Sequence, residues 1–441
     1  MIFQVSSCIY FILFLTTSLA AIDQSETARF FNDLIQAYEI PGLSVAIVEG
    51  NKVTYSGAHG VKATDSKEPV DEETIFSAAS LSKPCFAYGV MKLVQAGKLD
   101  LDKPLYLYLE YEDIAHDERY RKITARMILS HSSGLPNWRN GKLELKFEPG
   151  EKYQYSGEGF VYLGKVIEQI MEVPLNDFMD DYVFRPLAMT NSSYVWKAAF
   201  ESNYAAPHGF LRDAQSKYRP GNVNVAASLQ TTAEDYAKLL IAMLNSTGLK
   251  PATVAEMFSP QIDVDDSGRL FWGLGWGLQQ TEKGKAIWQW GDNGVFKAYT
   301  IAYPELGRGL VFLANSYNGL KIVPEVIDFV FQDKSPAFDM LDYETAYTPD
   351  QKLLKGILAF GYDKAVQDFL SPDGAHQDTS QIDEGQMNYV GTQLTGRKRF
   401  EDAGKVFLAN IAAFPDLLRL MRIMPTSVWA GEILMRQENT I

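Results

Sequence analysis

Two strand-like runs near the start of the chain have no partner close by. Residues 43–49 (LSVAIVE) and 52–58 (KVTYSGA) are rich in β-branched residues, and Gly50-Asn51 between them favours positive φ and a tight hairpin. Further strand patterns come much later, at 272–278, 285–290, 297–303 and 309–315, separated by Gly, Asp, Asn and Pro. A lone two-stranded ribbon is marginal in water, so the two ends are expected to meet in one antiparallel sheet. The stretch between them reads mostly helical. Phe86, Val90, Leu93 and Val94 share a helical face that Gly97 ends, and Thr231-Thr232-Ala233-Glu234 reads as a capping box for a helix through Ala242. The expected fold is mixed α/β (α+β): an antiparallel sheet flanked by helices, with an inserted helical subdomain. A site is expected at the seam between the two.

Length and composition set the frame. A chain of 441 residues has room for about two or three domains. Residues 1–20 read as a leader: 1–7 is short and polar, 8–19 is apolar, and Ser18-Leu19-Ala20 places small residues at a cleavage site. The departure is that no Lys or Arg precedes the apolar run. That run is shorter than the ~20 residues of a spanning helix, so the expectation is a secreted or periplasmic protein without an integral membrane span after leader removal. Cys8 falls in the leader, which leaves Cys85 unpaired and read as a buried thiol. A net charge of −14 makes nucleic acid and anionic membrane poor partners. The five histidines are scattered without ligand spacing, so neither a metal nor a cofactor is expected. Composition shifts again near 337–350. Beyond it the pattern is helical, with the turn at 394–398 joining two helices expected to pack antiparallel. The expected division is 1–20 leader, 21–335 main domain and 345–441 helical extension.

The sharpest chemical feature is Ser80-Leu81-Ser82-Lys83-Pro84. If a helix opens at about Leu81, Ser80 and Lys83 lie one turn apart on one side, and Pro84 is tolerated because the first turn leaves N–H groups unpaired. A serine at a helix N-terminus meets backbone donors suited to an oxyanion, and a desolvated lysine can accept its proton. Alone, the pattern is an ordinary helix start. It is accompanied by Leu129-Ser130-His131-Ser132-Ser133-Gly134-Leu135-Pro136, Tyr155-Ser156-Gly157 within a PG…YSG segment from Pro149, Pro207-His208-Gly209, the TTAED of 231–235, and Gln289-Trp290-Gly291-Asp292-Asn293-Gly294.

Taken in this order, those motifs resemble the serine β-lactamase and penicillin-binding-protein family: class C β-lactamases, D,D-peptidases and the esterases related to them. The resemblance spans about residues 30 to 330, and 388–415 is similar to a tetratricopeptide-like extension. It implies that Ser80 is the nucleophile, Lys83 its activating amine and Tyr155 the proton relay to the leaving group. It places Gln289, Trp290, Gly291 and Asp292 against the substrate, with the N–H groups of Ser80 and Asp292 as oxyanion donors, and it leaves His131 structural. Two positions depart from the pattern. Gly157 stands where the family often has Asn, and Gln289 where it has Lys or His. Gln289 carries no charge, which weakens both the hold on a substrate carboxylate and the lowering of the tyrosine pKa. Lys297 is a nearby cation able to compensate for the carboxylate contact.

The leading expectation is an exported serine hydrolase acting through an acyl-enzyme on an ester, amide or peptide without a nearby carboxylate. Lys83 is the base, and Tyr155 passes the proton to the leaving group. Two alternatives remain open: a β-lactamase or D,D-carboxypeptidase, and a non-catalytic penicillin-binding sensor whose C-terminal helices serve a protein partner.

Overall fold

A computed structural model describes residues 23–50, 52–343, 347–369 and 382–414. The expected leader, 1–20, lies outside the described residues, as does Asn51. The strands are β1 Gly42–Glu49, β2 Lys52–Gly60, β3 Phe76–Ala79, β4 Leu229–Thr231, β5 Ile262–Asp263, β6 Leu270–Trp272, β7 Gly277–Thr281, β8 Gly284–Asp292, β9 Lys297–Tyr303 and β10 Arg308–Ala314. Eight of them form a sheet in the order β2-β1-β10-β9-β8-β7-β6-β5, and every pairing within it is antiparallel. The early hairpin therefore joins the late strands through β1 and β10, with Leu43 opposite Ala314 and Glu49 opposite Arg308. Gly50 turns the hairpin with φ +54°, a left-handed value that glycine adopts without penalty.

The expected strand at 272–278 is two strands. Gly273 and Gly275 break it: a Cβ at Gly273 would stand 2.1 Å from the Met257 carbonyl oxygen, and one at Gly275 (φ +84°) 2.2 Å from the Ala87 Cβ. The chain turns there because backbone must pass close to α7 Pro251–Met257 and α2 Ser82–Gln95.

β1 is buried on both faces. Ala46 and Val48 enter one core with Phe86, Val90, Leu93 and Tyr236, while Leu43, Val45 and Ile47 enter the other with Phe31, Trp288 and Phe312. A continuous apolar run therefore replaces the alternation of a one-sided strand, and each buried Val, Leu and Ile side chain contributes about 1.5–3 kcal/mol. The inserted region supplies α2, α3 Ala125–Leu129, α4 Gly157–Met171 and α6 Ala233–Leu244 to the first core. α2 is buried almost all round, from Ser82 to Met91, as befits a helix at the centre of a domain. α6 is capped one residue later than the sequence pattern suggests, because the Thr232 hydroxyl accepts from the Asp235 N–H at 3.1 Å.

The chain divides into two compact units, residues 1–343 and 344–441. The second contains α10 Pro349–Phe360, α11 Tyr362–Phe369, α12 Glu384–Gly396 and α13 Phe400–Ala413. α12 and α13 pack as a hairpin around Val390, Leu394, Ala403 and Val406, and Thr348 opens α10 with a true capping box. Among the described residues no helix is long and apolar enough to cross a membrane.

Candidate active site

Ser80 sits in the turn between β3 and α2. Its predecessor Ala79 holds φ +47°, a conformation costly for a residue with a Cβ and maintained here by the surroundings. The Ser82 hydroxyl donates to the Ala79 carbonyl at 2.5 Å and accepts from the Leu229 N–H at 3.0 Å. Tyr194 and Tyr236 donate to the carbonyls of Ser82 and Leu81 at 2.6 and 3.1 Å. The turn is thus clamped from β4 and α6, and Ser80 remains partly accessible. Among the described residues, no acceptor takes the Ser80 N–H.

Lys83 is 1% exposed, and its Nζ donates to Ser80 Oγ at 3.1 Å and to the Ala226 carbonyl at 2.9 Å. Asn224 Oδ1 accepts from the Ala226 N–H at 3.0 Å and so shapes the loop that presents this carbonyl, a contact invisible in the motif pattern. The ammonium also stands 4.5 Å from the centroid of the Tyr155 ring and 5.7 Å from that of Phe160. Burial pushes the Lys83 pKa down to about 7, because no carboxylate among the described residues accompanies the charge out of water.

Tyr155 arrives from the segment before α4. Gln289 is fully buried on β8, and its Nε2 donates to the Tyr155 oxygen at 2.7 Å and to the Trp290 carbonyl at 2.9 Å. The second bond fixes which amide atom is nitrogen. The phenol oxygen is therefore an acceptor toward Gln289, which leaves its proton free for the Ser80–Lys83 side. Burial raises the Tyr155 pKa well above the usual phenol value, and interactions with Ser80 and Gln289 oppose it only in part. His131 packs on the same ring at 4.3 Å between centroids, and its Nδ1 accepts from the Ser156 N–H at 3.0 Å. Burial and the Lys83 charge hold this imidazole neutral. It packs on the tyrosine ring and is committed to the Ser156 N–H.

Gly291 lets β8 approach β3, since a Cβ there would lie 2.6 Å from the Ala78 carbonyl oxygen and 3.1 Å from the Ala79 Cβ. This close approach brings Asp292 to the end of the strand beside the Ser80 turn. Trp290 is half-buried, with its ring 4.6 Å from Tyr155 and 5.5 Å from Trp288. Trp272, Trp276 and Trp288 are core residues. So is His208, whose nitrogens are taken by the Asn315 carbonyl at 3.0 Å and the Thr64 N–H at 3.2 Å. Cys85 is buried, and burial raises its thiol to about 12.

One expectation is corrected. Lys297 is not available to a substrate carboxylate: it is 4% exposed and ion-paired with Asp292 at 2.5 Å. The same carboxylate accepts from the Gly294 N–H at 2.7 Å and from the Tyr343 hydroxyl at 2.6 Å. Sequence reading missed Tyr343, Ala226 and Trp138, whose ring centroid lies 6.0 Å from Lys83 Nζ. Of these only Trp138, directly after the HSSGLPN run, carried a signal in its position.

With this geometry in place, a family model described as Beta-lactamase matches residues 27–332. The chain belongs to the beta-lactamase family. It is 24% identical over 415 residues to Penicillin-binding protein 4* of Bacillus subtilis, spanning 84% of this chain and 87% of that one. It is 25% identical over 359 residues to esterase EstB of Burkholderia gladioli, spanning 66% and 90%. The octameric penicillin-binding protein homologue from Pyrococcus abyssi superposes with a TM-score of 0.62 at 22% identity, covering 76% of this chain and 82% of that one. Members of this beta-lactamase family are serine hydrolases, working through an acyl-enzyme on small ester, amide or peptide substrates.

Proposed function

We propose that the protein is an exported serine hydrolase that cleaves an uncharged ester or amide through an acyl-enzyme on Ser80. The carrying observation is the 3.1 Å hydrogen bond between Ser80 Oγ and a buried Lys83 Nζ that has no carboxylate partner among the described residues. Neutral Lys83 removes the Ser80 proton as Oγ attacks the substrate carbonyl carbon. The resulting oxyanion is held by the N–H groups of Ser80 and Asp292. The Tyr155 hydroxyl gives its proton to the departing oxygen or nitrogen and recovers one from Lys83. The acyl-enzyme is then hydrolysed by water through the same groups in reverse.

Substrate preference follows from the β8 edge. Gln289 offers no positive charge and Lys297 is committed to Asp292. The Trp290 and Tyr155 rings pack against each other at 4.6 Å between centroids, tilted by 41°, and a substrate carboxylate entering there would lose its hydration without gaining a cation. Efficient β-lactam turnover is accordingly the second reading, supported by the family alone. Export rests on the apolar run at 8–19, and a partner role for the C-terminal helices on their place beyond the hydrolase domain.

The test pairs a small chromogenic ester with a chromogenic cephalosporin, using the mature protein and Ser80→Ala. Ester turnover abolished in Ser80→Ala supports the proposal. Fast Ser80-dependent cephalosporin turnover would overturn the substrate preference and keep the mechanism.

A further inference from the structure

Gly157 opens α4 where the family pattern often carries an asparagine, and its backbone does not require glycine, since its φ is not positive. Space does. A Cβ at this position would meet the Asn137 carbonyl oxygen at 2.6 Å and the Trp138 ring atoms Cη2 and Cζ3 at 2.7 and 2.8 Å. The indole stands where the missing side chain would project.

It is held there from both sides. The Asn137 carbonyl accepts from the Gly157 and Glu158 N–H groups at 3.0 and 3.1 Å, and Asn137 Oδ1 accepts from the Gly157 N–H at 3.1 Å. Arg139 donates through its backbone N–H to Glu158 Oε1 at 3.2 Å, and through Nε and Nη2 to Oε2 at 3.0 and 2.8 Å. Glu158 is only 6% exposed, so this charge-assisted pair, with both guanidinium N–H groups on Oε2 and the backbone N–H on Oε1, is a firm anchor. Trp138 between these anchors is nevertheless 46% exposed, and its ring centroid lies 6.0 Å from Lys83 Nζ. An indole fixed by its neighbours, half in solvent and next to the catalytic amine, is a binding surface rather than core.

We propose that Trp138 contacts the substrate, so that the cleft beside Lys83 presents an indole face to the acyl group in place of an amide side chain at 157. This rests on the hydrolase reading and narrows its substrate class to esters or amides with a flat, apolar, uncharged acyl group, such as an aryl-acetyl group. Such a group stacks on the ring and removes apolar surface from water. An amide at 157 would instead hydrogen-bond a polar acyl substituent, and Gly157 has none to offer.

The experiment compares 4-nitrophenyl phenylacetate with 4-nitrophenyl acetate, on wild type, Trp138→Ala, Trp138→Leu and Trp138→Phe. Ser80-dependent labelling of wild type by a fluorophosphonate, absent in Ser80→Ala, first secures the hydrolase reading, and its absence in wild type would sink that reading separately. The expected result is a fall of about tenfold in the phenylacetate-to-acetate ratio of kcat/KM for Trp138→Ala, carried by KM. Trp138→Leu should show an intermediate fall, and Trp138→Phe should retain most of the wild-type ratio. Equal losses for the two esters in all three variants would reduce Trp138 to a packing residue and overturn the proposal.

Discussion

Two buried lysines border the cleft, and their surroundings give them opposite tasks. Lys83, on α2, has a hydroxyl, a carbonyl and aromatic rings around it. Lys297, at the start of β9, has the Asp292 carboxylate 2.5 Å away. Burial lowers the pKa of both, but at Lys297 the charge and hydrogen bond of Asp292 oppose the shift, whereas Lys83 falls to about 7. The presence or absence of one carboxylate thus separates a structural cation from a base that titrates near neutrality. The Lys83 region suits the proton transfer proposed for it, and the Lys297 region holds the strand that carries Asp292.

Removing each lysine's defining feature should break the symmetry in opposite directions. Lys83→Met is expected to lower ester turnover by about 10³-fold, the range of general-base contributions. It should also raise thermal stability, by about 1 kcal/mol, because a desolvated amine is replaced by an apolar chain. Asp292→Asn should leave Lys297 buried without its counterion and cost about 3 kcal/mol. Thermal melts of both variants beside wild type decide the matter. A stability loss in Lys83→Met as large as that of Asp292→Asn would erase the distinction.

The same contrast fixes the pH dependence. In the proposed mechanism Lys83 acts when neutral, so kcat/KM for the ester should rise with pH through about 7 and level off above it. Gln289→Lys places a cation at the Tyr155 oxygen, where Gln289 Nε2 now sits at 2.7 Å. The new charge should move that rising limb to lower pH and improve turnover of a carboxylate-bearing cephalosporin by about tenfold relative to the ester. A limb that stays in place would show that the two sites do not share a field.

Much of this arrangement was legible in the sequence, and the rest was not for a physical reason. Ser80, Lys83, Tyr155 and Gln289 are found together because each lies on a motif whose local backbone decides where its side chain goes: a helix start, the segment before a helix, a strand end. The sheet was readable because β1 carries an apolar run that its edge-strand neighbour β2 cannot cover alone, so its other side must pair with a distant strand, which is β10. What stayed hidden depends on register between remote segments. Whether Lys297 faces Asp292 or solvent is set by the pairing of β8 with β9, in which the two residues stand opposite each other. That Gly157 lies under Trp138 is set by a loop clamped through Arg139 and Glu158. The split of 272–278 into two strands comes from close backbone contacts that periodicity does not report.

The smallest expected effect tests how much of the Asp292 arrangement is positioning rather than charge. The Tyr343 hydroxyl gives Asp292 Oδ2 its 2.6 Å hydrogen bond, while Lys297 and the Gly294 N–H hold Oδ1. Tyr343→Phe removes one bond to a charged acceptor and keeps the ion pair, so the stability cost should be about 1–2 kcal/mol, less than for Asp292→Asn. Because the Asp292 N–H is assigned to the oxyanion, loosening this carboxylate should lower kcat by about two- to threefold and leave KM nearly unchanged. A change in KM alone would place Tyr343 in substrate binding instead. A loss as large as that of Asp292→Asn would show that the hydroxyl, and not Lys297, is the partner that holds the strand end.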